Sequence, residues 1–138
     1  MDLYESLPPI GLALPAGKIL VVDDEPVVIE VVAQGLQRIG YQVERAGGGT
    51  QALTRLEAGG YDIVLSDVRM PGMGGLELFR AIQRRYPALE DRVIFMTGET
   101  IGEQVNQALA ETGLPILVKP FGVGRVHRAI QALLNPAP

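Results

Sequence analysis

Short apolar runs alternate with stretches of helical periodicity from residue 18 to the end of the chain. The apolar runs predict five strands, at 18–23, 41–46, 61–67, 92–97 and 115–118. After each run, apolar residues recur every three or four positions, which predicts helices at 26–39, 49–58, 75–86, 101–112 and 122–134. Strands that alternate with helices form parallel sheets with helices on both faces. The pattern therefore predicts an α/β domain, a flavodoxin-like (βα)5 three-layer sandwich with strand order 2-1-3-4-5.

The predicted elements differ in their expected burial. The run at 61–67, YDIVLSD, has an unbroken apolar centre, which is typical of a strand covered on both faces. The run at 41–46, YQVERA, alternates and indicates a half-covered edge strand. The helix at 101–112 has the weakest apolar face of the five. The run Gly47-Gly48-Gly49 resembles a phosphate-binding loop only superficially, because it lacks the Lys-Ser/Thr pair of such loops.

The first 17 residues differ in composition from the rest. Their three prolines, Pro8, Pro9 and Pro15, exclude a long helix or a central strand. We therefore expect a proline-rich lead-in at 1–17, a domain at 18–135 and a short tail at 136–138. The lead-in contains more apolar residues than a solvated linker usually does. It either packs on the domain or on a partner, or it is solvated, and the sequence favours neither alternative.

Composition and charge exclude several classes of function. The 138 residues suit one domain, and the net charge is −4, from 12 Lys and Arg against 16 Asp and Glu. The chain thus lacks a positive field that would hold nucleic acid or an anionic membrane directly. The absence of cysteine excludes disulfides, thiolate zinc sites and cysteine nucleophiles. Without an apolar stretch of roughly 20 residues or a signal peptide, the chain is predicted to be soluble and cytoplasmic.

Polar residues stand at the ends of four predicted strands. Asp23 and Asp24 follow KILVV, Asp67 closes YDIVLSD, Thr97 closes RVIFMT and Lys119 follows PILV. Ligands collect at the carboxyl ends of strands in open α/β sheets, above all where the winding direction reverses. In the order 2-1-3-4-5, the first and third strands are neighbours at that point. The three carboxylates should therefore meet.

Clustered carboxylates either take up protons or bind a cation. Oxygen-only ligands favour Mg²⁺ or Mn²⁺, which often bind beside a phosphate. A compact ammonium from Lys119 and a hydroxyl from Thr97 suit phosphoryl oxygens. A carboxylate in such a site can act as the nucleophile and form an acyl phosphate.

At these residues the sequence resembles the receiver domain of two-component response regulators. The resemblance covers about 18–135 and depends on four motifs, namely Asp23-Asp24, Asp67 with the loop DVRMPGMGG, Thr97-Gly98 and Lys119-Pro120-Phe121. It implies that Asp67 accepts a phosphoryl group from a phosphohistidine on a histidine kinase or histidine phosphotransfer domain. It also implies that Asp24 and Asp67 bind Mg²⁺ directly, Asp23 through water, and the main-chain carbonyl of Arg69 as a further ligand.

The resemblance also implies how the domain would switch. Lys119 would bridge to the phosphoryl group, and Thr97 would turn toward it. That turn would move the face built from the fourth helix, fifth strand and fifth helix, which is also a candidate homodimer surface. The peptide before Pro120 is expected to be cis. This chain has Ile116 where the family often has a switching aromatic residue, so we expect the readout to depend on the loop and the fourth helix.

Arg69 and Glu99 lie two residues beyond Asp67 and Thr97 and should flank the pocket. We hypothesise that they tune the lifetime of the acyl phosphate by gating the attacking water, as an ion pair across the cleft. The alternative is two solvated charges of little energetic consequence.

Simpler interpretations exist for each residue. Asp23-Asp24-Glu25 could cap the first helix, Lys119 could be a surface lysine, and Thr97 an ordinary strand-end hydroxyl. His127, the single histidine, is expected to be a solvated or half-buried helix residue.

Two other classes of function use similar residues. Haloacid-dehalogenase-like phosphatases need a second aspartate two positions after the nucleophile, where this chain has Arg69. A pure interaction module would be expected to lack one of the acids or the lysine, and all are present.

The origin of the chain has two interpretations. The sequence ends soon after the last predicted helix, so we expect no output domain to follow, and output would come from a partner or a preceding domain. The resemblance to receivers at the carboxyl end of hybrid histidine kinases slightly favours a fragment over a stand-alone regulator.

Overall fold

Five parallel strands form the sheet at the centre of the computed structural model, which describes residues 17–98 and 101–135. The strands are β1 (Lys18–Val22), β2 (Gln42–Ala46), β3 (Ile63–Asp67), β4 (Val93–Thr97) and β5 (Ile116–Val118). The helices that follow them are α1 (Pro26–Ile39), α2 (Gly49–Leu56), α3 (Gly75–Arg85), α4 (Glu103–Glu111) and α5 (Val123–Leu134). The sheet order is β2-β1-β3-β4-β5, with every pair parallel. The predicted fold class and strand order are confirmed.

Alternation along the strands divides the core between the two faces of the sheet. Successive side chains of a strand point to opposite faces. Leu20 and Val22 of β1 belong to an apolar cluster with α2, α3 and α4, whereas Ile19 and Val21 pack in a second cluster with α1 and α5. All five residues of β3 are buried, as predicted for a strand covered on both faces. The two clusters hold a rigid sheet on which the strand ends are positioned.

Proline and glycine set the limits of α1. Pro26 occupies the first turn, where its missing N–H would have no helical acceptor. The helix ends at Gly40, whose φ of 123° lies in a region that favours glycine. The Gly40 amide donates to the carbonyls of Leu36 and Gln37, which closes the last turn.

Several elements are shorter than predicted. Tyr61 and Asp62 precede β3; Tyr61 packs into the core, and the Asp62 carboxylate accepts a hydrogen bond from the Lys18 amide. Tyr86 leaves the helical conformation at φ −134°, and a single 3₁₀ turn at Pro87–Leu89 follows it. In α4 only Leu109 is buried, in agreement with its predicted weak apolar face.

Part of the predicted organisation lies outside the described residues. This applies to 1–16 of the lead-in, to Glu99 and to the tail at 136–138. Among the helices of the described ranges, none has the length and apolar character needed to cross a membrane.

Candidate functional site

The polar strand ends meet at the carboxyl edge of the sheet. Asp23 directly follows β1, Asp67 and Thr97 are the last residues of β3 and β4, and Lys119 directly follows β5. Asp23, Asp67 and Thr97 are buried, with 0%, 6% and 2% of their surfaces exposed. Charged side chains are rarely buried without partners, so their surroundings indicate a functional site.

Lys119 joins the strand ends through its side chain and its main chain. Its ammonium Nζ lies 2.9 Å from Asp23 Oδ2 and 3.3 Å from Asp67 Oδ1. Its amide donates a hydrogen bond of 2.7 Å to the Thr97 carbonyl. The peptide bond between Lys119 and Pro120 is cis. The lysine therefore stands between two buried carboxylates, a position that the surface-lysine interpretation does not explain.

The environment of Asp67 makes it an unusually basic carboxylate. Burial, together with the nearby charge of Asp23, raises the pKa of Asp67 to about 6 despite the opposing effect of Lys119. Burial alone would lower the pKa of Lys119, but its hydrogen bond to Asp23 and the charges of both aspartates raise it. At neutral pH the site therefore contains an ammonium beside an ionised carboxylate with greater proton affinity than an ordinary aspartate.

Acidic side chains also cluster after β1. Carboxylate oxygens of Asp23, Asp24 and Glu25 lie within 4.8 Å of one another. The Glu25 amide donates to Asp23 Oδ1 at 3.0 Å, and no side chain caps the start of α1, so helix capping does not account for these acids. Glu25 was not singled out in the sequence as part of a site. Its position directly after the two aspartates was the signal that could have found it.

The loop after Asp67 is held close to the strand by glycine. The Val68 amide donates to the Met96 carbonyl, and the Gly75 amide donates to the Val68 carbonyl. A Cβ at Gly75 would lie 2.3 Å from the Asp67 carbonyl oxygen, which leaves no room for a side chain. The same oxygen accepts a hydrogen bond from the buried hydroxyl of Ser66. These contacts fix the backbone that presents Asp67, while Arg69 in this loop is exposed.

A cleft of about 470 Å³ opens beside Thr97, between α4 and β5. Ile116 lines it in the strand, half-buried, and Val118 is 50% exposed at its rim. Since Glu99 lies outside the described residues, its predicted pairing with Arg69 stays a prediction.

His127 lies outside this site. Its ring is half-buried and its Nδ1 forms a hydrogen bond of 2.9 Å with the Tyr41 hydroxyl. The sequence had left a solvated and a half-buried position open for His127, and it gave no sign of the Tyr41 partner.

Solved structures share this fold. The chemotaxis protein CheY4 of Vibrio cholerae is 28% identical with a TM-score of 0.76, and the comparison covers 86% of this chain and 99% of that one. A response regulator receiver domain protein from Clostridium thermocellum is also 28% identical, with a TM-score of 0.77 and coverage of 86% and 94%.

Proteins similar in sequence to this chain include transcriptional regulatory proteins. The probable transcriptional regulatory protein TcrX of Mycobacterium tuberculosis is 33% identical over 117 residues, which are 85% of this chain and 49% of TcrX. The transcriptional regulatory protein ResD of Bacillus subtilis is 34% identical over 122 residues, 87% of this chain and 49% of ResD. The chain thus spans about half the length of these regulators. The family model described as the response regulator receiver domain matches residues 19–131. The chain therefore belongs to the response regulator receiver domains of two-component signalling systems.

Proposed function

We propose that Asp67 accepts a phosphoryl group from a phosphohistidine of a histidine kinase or histidine phosphotransfer domain. The observation that supports this most directly is the Lys119 ammonium, which lies 3.3 Å from one Asp67 oxygen and is also held by Asp23. An ammonium fixed beside a buried, basic carboxylate is suited to a nucleophile whose product has further negative charge.

The proposed transfer is a single displacement at phosphorus. An Asp67 carboxylate oxygen forms a bond to phosphorus as the phosphorus–nitrogen bond of the donor breaks, and the imidazole leaves with the bonding electron pair and takes up a proton. The product is an acyl phosphate on Asp67. Lys119 and the Thr97 hydroxyl would donate hydrogen bonds to the phosphoryl oxygens, which lie where the charge of the transition state spreads.

The donor set at the carboxyl edge fits Mg²⁺ or Mn²⁺. Asp23, Asp24 and Glu25 supply oxygen ligands only, and two of these acids are exposed at the rim. We assign the cation to Asp24, Asp67 and the Arg69 carbonyl, with Asp23 acting through water. When bound, the cation would neutralise negative charge on the phosphoryl oxygens.

Incubation with acetyl phosphate and Mg²⁺, followed by intact mass measurement, tests the proposal. We expect one added phosphoryl group, lost in Asp67→Asn and on removal of divalent cations. Asp91→Asn, an exposed aspartate away from the site, is the matched control and should be phosphorylated normally. Continuous release of phosphate would instead indicate a phosphatase, and an unchanged mass would indicate an interaction module.

We further propose that Arg69 and Glu99 set the lifetime of the acyl phosphate. The exposure of Arg69 two residues from Asp67 supports access to water entering the site. Phosphate release after removal of the donor should change in Arg69→Ala and in Glu99→Ala. Unchanged lifetimes in both variants would leave only the interpretation of two solvated charges.

The signal would be read on the face of α4, β5 and α5. The cleft beside Thr97 supports this, because Ile116 and Val118 of β5 and the start of α4 line it. This face is also the surface we propose for a homodimer. We place the domain at 18–135, in the cytoplasm where histidine kinases present their phosphohistidine, without direct contact to nucleic acid or membrane, and slightly favour its origin in a hybrid histidine kinase.

A further inference from the structure

A second cleft lies at the amino edge of the sheet, opposite Asp67. It has a volume of about 430 Å³. The end of α2 and the residues before β3 form one side of it, and the turn after α3 forms the other. Leu56 and Tyr61 are buried in its wall, and Tyr86 and Leu89 are partly buried against the same core cluster. The cleft is therefore an apolar, tyrosine-lined opening into the core.

The rim of this cleft leaves room for an additional chain. Gly59 and Gly60 line it with φ values of 75° and 86°, and a Cβ on either would meet nothing within 4 Å. On the other side of the cleft Pro87 and Ala88 are exposed.

The chain enters the sheet beside the cleft. The Lys18 amide donates to Asp62 Oδ2 at 2.9 Å, and the Asp62 amide donates to the Lys18 carbonyl at 2.8 Å. The Lys18 ammonium lies 4.5 Å from the centre of the Tyr61 ring. Both partners of Lys18 line the cleft, so the sequence before Gly17 starts at its rim.

We propose that residues 7–16 of this chain, which lie outside the described residues, dock in the amino-edge cleft. This segment, LPPIGLALPA, contains four large apolar side chains and three prolines. Leu12 lies five positions before Gly17, so an extended chain places it within about 17 Å of that residue. Proline-containing extended segments bind grooves lined by aromatic rings, because little conformational entropy remains to be lost.

Tethering and the absence of charge favour this occupant over a free partner. A segment joined to Gly17 has an effective concentration in the millimolar range at the cleft. Residues 7–16 contain no charged side chain, which suits the apolar wall formed by Leu56 and Tyr61. The Asp62 carboxylate is already engaged by the Lys18 amide.

Paired cysteines in the full chain test the docking, because the natural sequence has no cysteine. Under mild oxidation, Leu12→Cys with Ala88→Cys should form an intramolecular disulfide at least about tenfold faster than Leu12→Cys with Ala132→Cys. Ala132 is the matched control, since it is an exposed alanine in the last turns of α5, and the side chain of Leu134 in that helix also lies close to Gly17. Equal rates would overturn the proposal. Disulfide-linked dimers through Ala88→Cys would assign the cleft to a second copy instead.

Limited proteolysis gives a second measurement that needs no new bond. Ala88→Asp places an unpaired charge at the apolar cleft, so cleavage after Leu12 by a protease with leucine specificity should become at least about threefold faster. Ala132→Asp should leave that rate unchanged. Equal cleavage in both variants and in the natural sequence would show that residues 7–16 are not docked there.

Discussion

At the scale of single residues, the site consists of opposed charges that the fold keeps out of water. Asp67 and Asp23 share one ammonium, that of Lys119, so the pair is not fully compensated. The raised pKa of Asp67, about 6, expresses the cost of ionising this carboxylate in the folded chain. A fold optimised for stability alone would not retain that charge. Functional sites often keep such destabilising groups.

Asp67→Asn should therefore stabilise the domain in the absence of divalent cations. The unfolded pKa is about 3.8 and the folded pKa about 6, so the folded state binds more protons between these values. Stability is lost as pH rises through that interval and stays constant above it. We expect Asp67→Asn to raise the free energy of unfolding by about 3 kcal/mol at pH 7.5, and by less than about 1 kcal/mol near pH 4.

Urea unfolding in EDTA at several pH values measures this difference, with Asp91→Asn as the control. A stabilisation that stays the same or grows toward low pH would contradict the assigned shift.

The sequence identified the charged and hydroxyl residues of the site because each closes an apolar run. It could not show that Lys119 contacts both Asp23 and Asp67, since those distances depend on the packing of four strands. The pairing of His127 with Tyr41 was missed for the same reason, because the two lie 86 positions apart and meet where α5 packs beside the end of α1.

At the scale of elements, close backbone approach determines where a side chain is excluded. Gly75 begins α3 directly beside the Asp67 carbonyl, and its amide donates to the Val68 carbonyl. The turn from β3 to α3 is thus tight because one position lacks a Cβ. Sequence patterning predicted the loop from proline and glycine, but not which glycine is sterically required.

Gly75→Ala should destabilise the domain by about 2 kcal/mol or more, because its Cβ would overlap the Asp67 carbonyl and force the backbone to shift. The control is Gly124→Ala in α5, where a Cβ meets nothing within 4 Å and alanine favours the helix. Thermal unfolding of both variants measures the difference. Similar melting temperatures would show that the turn relaxes without cost.

Ile116→Ala should keep the rate of phosphorylation by acetyl phosphate. Ile116 lines the cleft beside Thr97, whereas the ion pairs that position Asp67 are made by Lys119 and do not involve Ile116. A rate loss of more than about tenfold, or 1.4 kcal/mol of barrier, would count against this. Single-turnover mass measurements on the folded variant give the rate.

The limits of the elements were harder to predict than their order. The sequence placed all five strands, yet Tyr61 and Asp62 were included in β3 because they directly precede its unbroken apolar centre. The structure uses Tyr61 for the core and Asp62 to bind the amide of Lys18. Such contacts between distant segments have no periodic signal.

At the scale of the whole molecule, an exposed apolar stripe begins beside the site. Val27 and Val31 are one turn apart on α1 and are 74% and 68% exposed. Val123 of α5 continues the stripe and packs against Gly35 of α1. A Cβ at Gly35 would lie 2.8 Å from the Val123 side chain, so only glycine fits there. In the transfer proposed above, a protein donor brings its phosphohistidine to Asp67, and its surface would then cover this stripe.

Val31→Glu should lower the rate of phosphotransfer from a phosphorylated histidine phosphotransfer protein by about tenfold or more, while the rate with acetyl phosphate stays the same. A small donor needs no protein surface, whereas a protein donor would bury an unpaired charge. Ala132→Glu, also an exposed position, is the control. An equal loss with both donors would indicate damage to the site rather than to docking.

The length of the strands separates the two edges of the sheet. β1 and β3 each have five residues, roughly 17 Å of extended chain between the entry at Lys18 and the acids at the other end. Changes at the amino edge must cross this close-packed sheet before they reach Asp67. Substitutions at the amino edge can therefore change contacts there without displacing the side chains around Asp67, so the two edges can be tested separately.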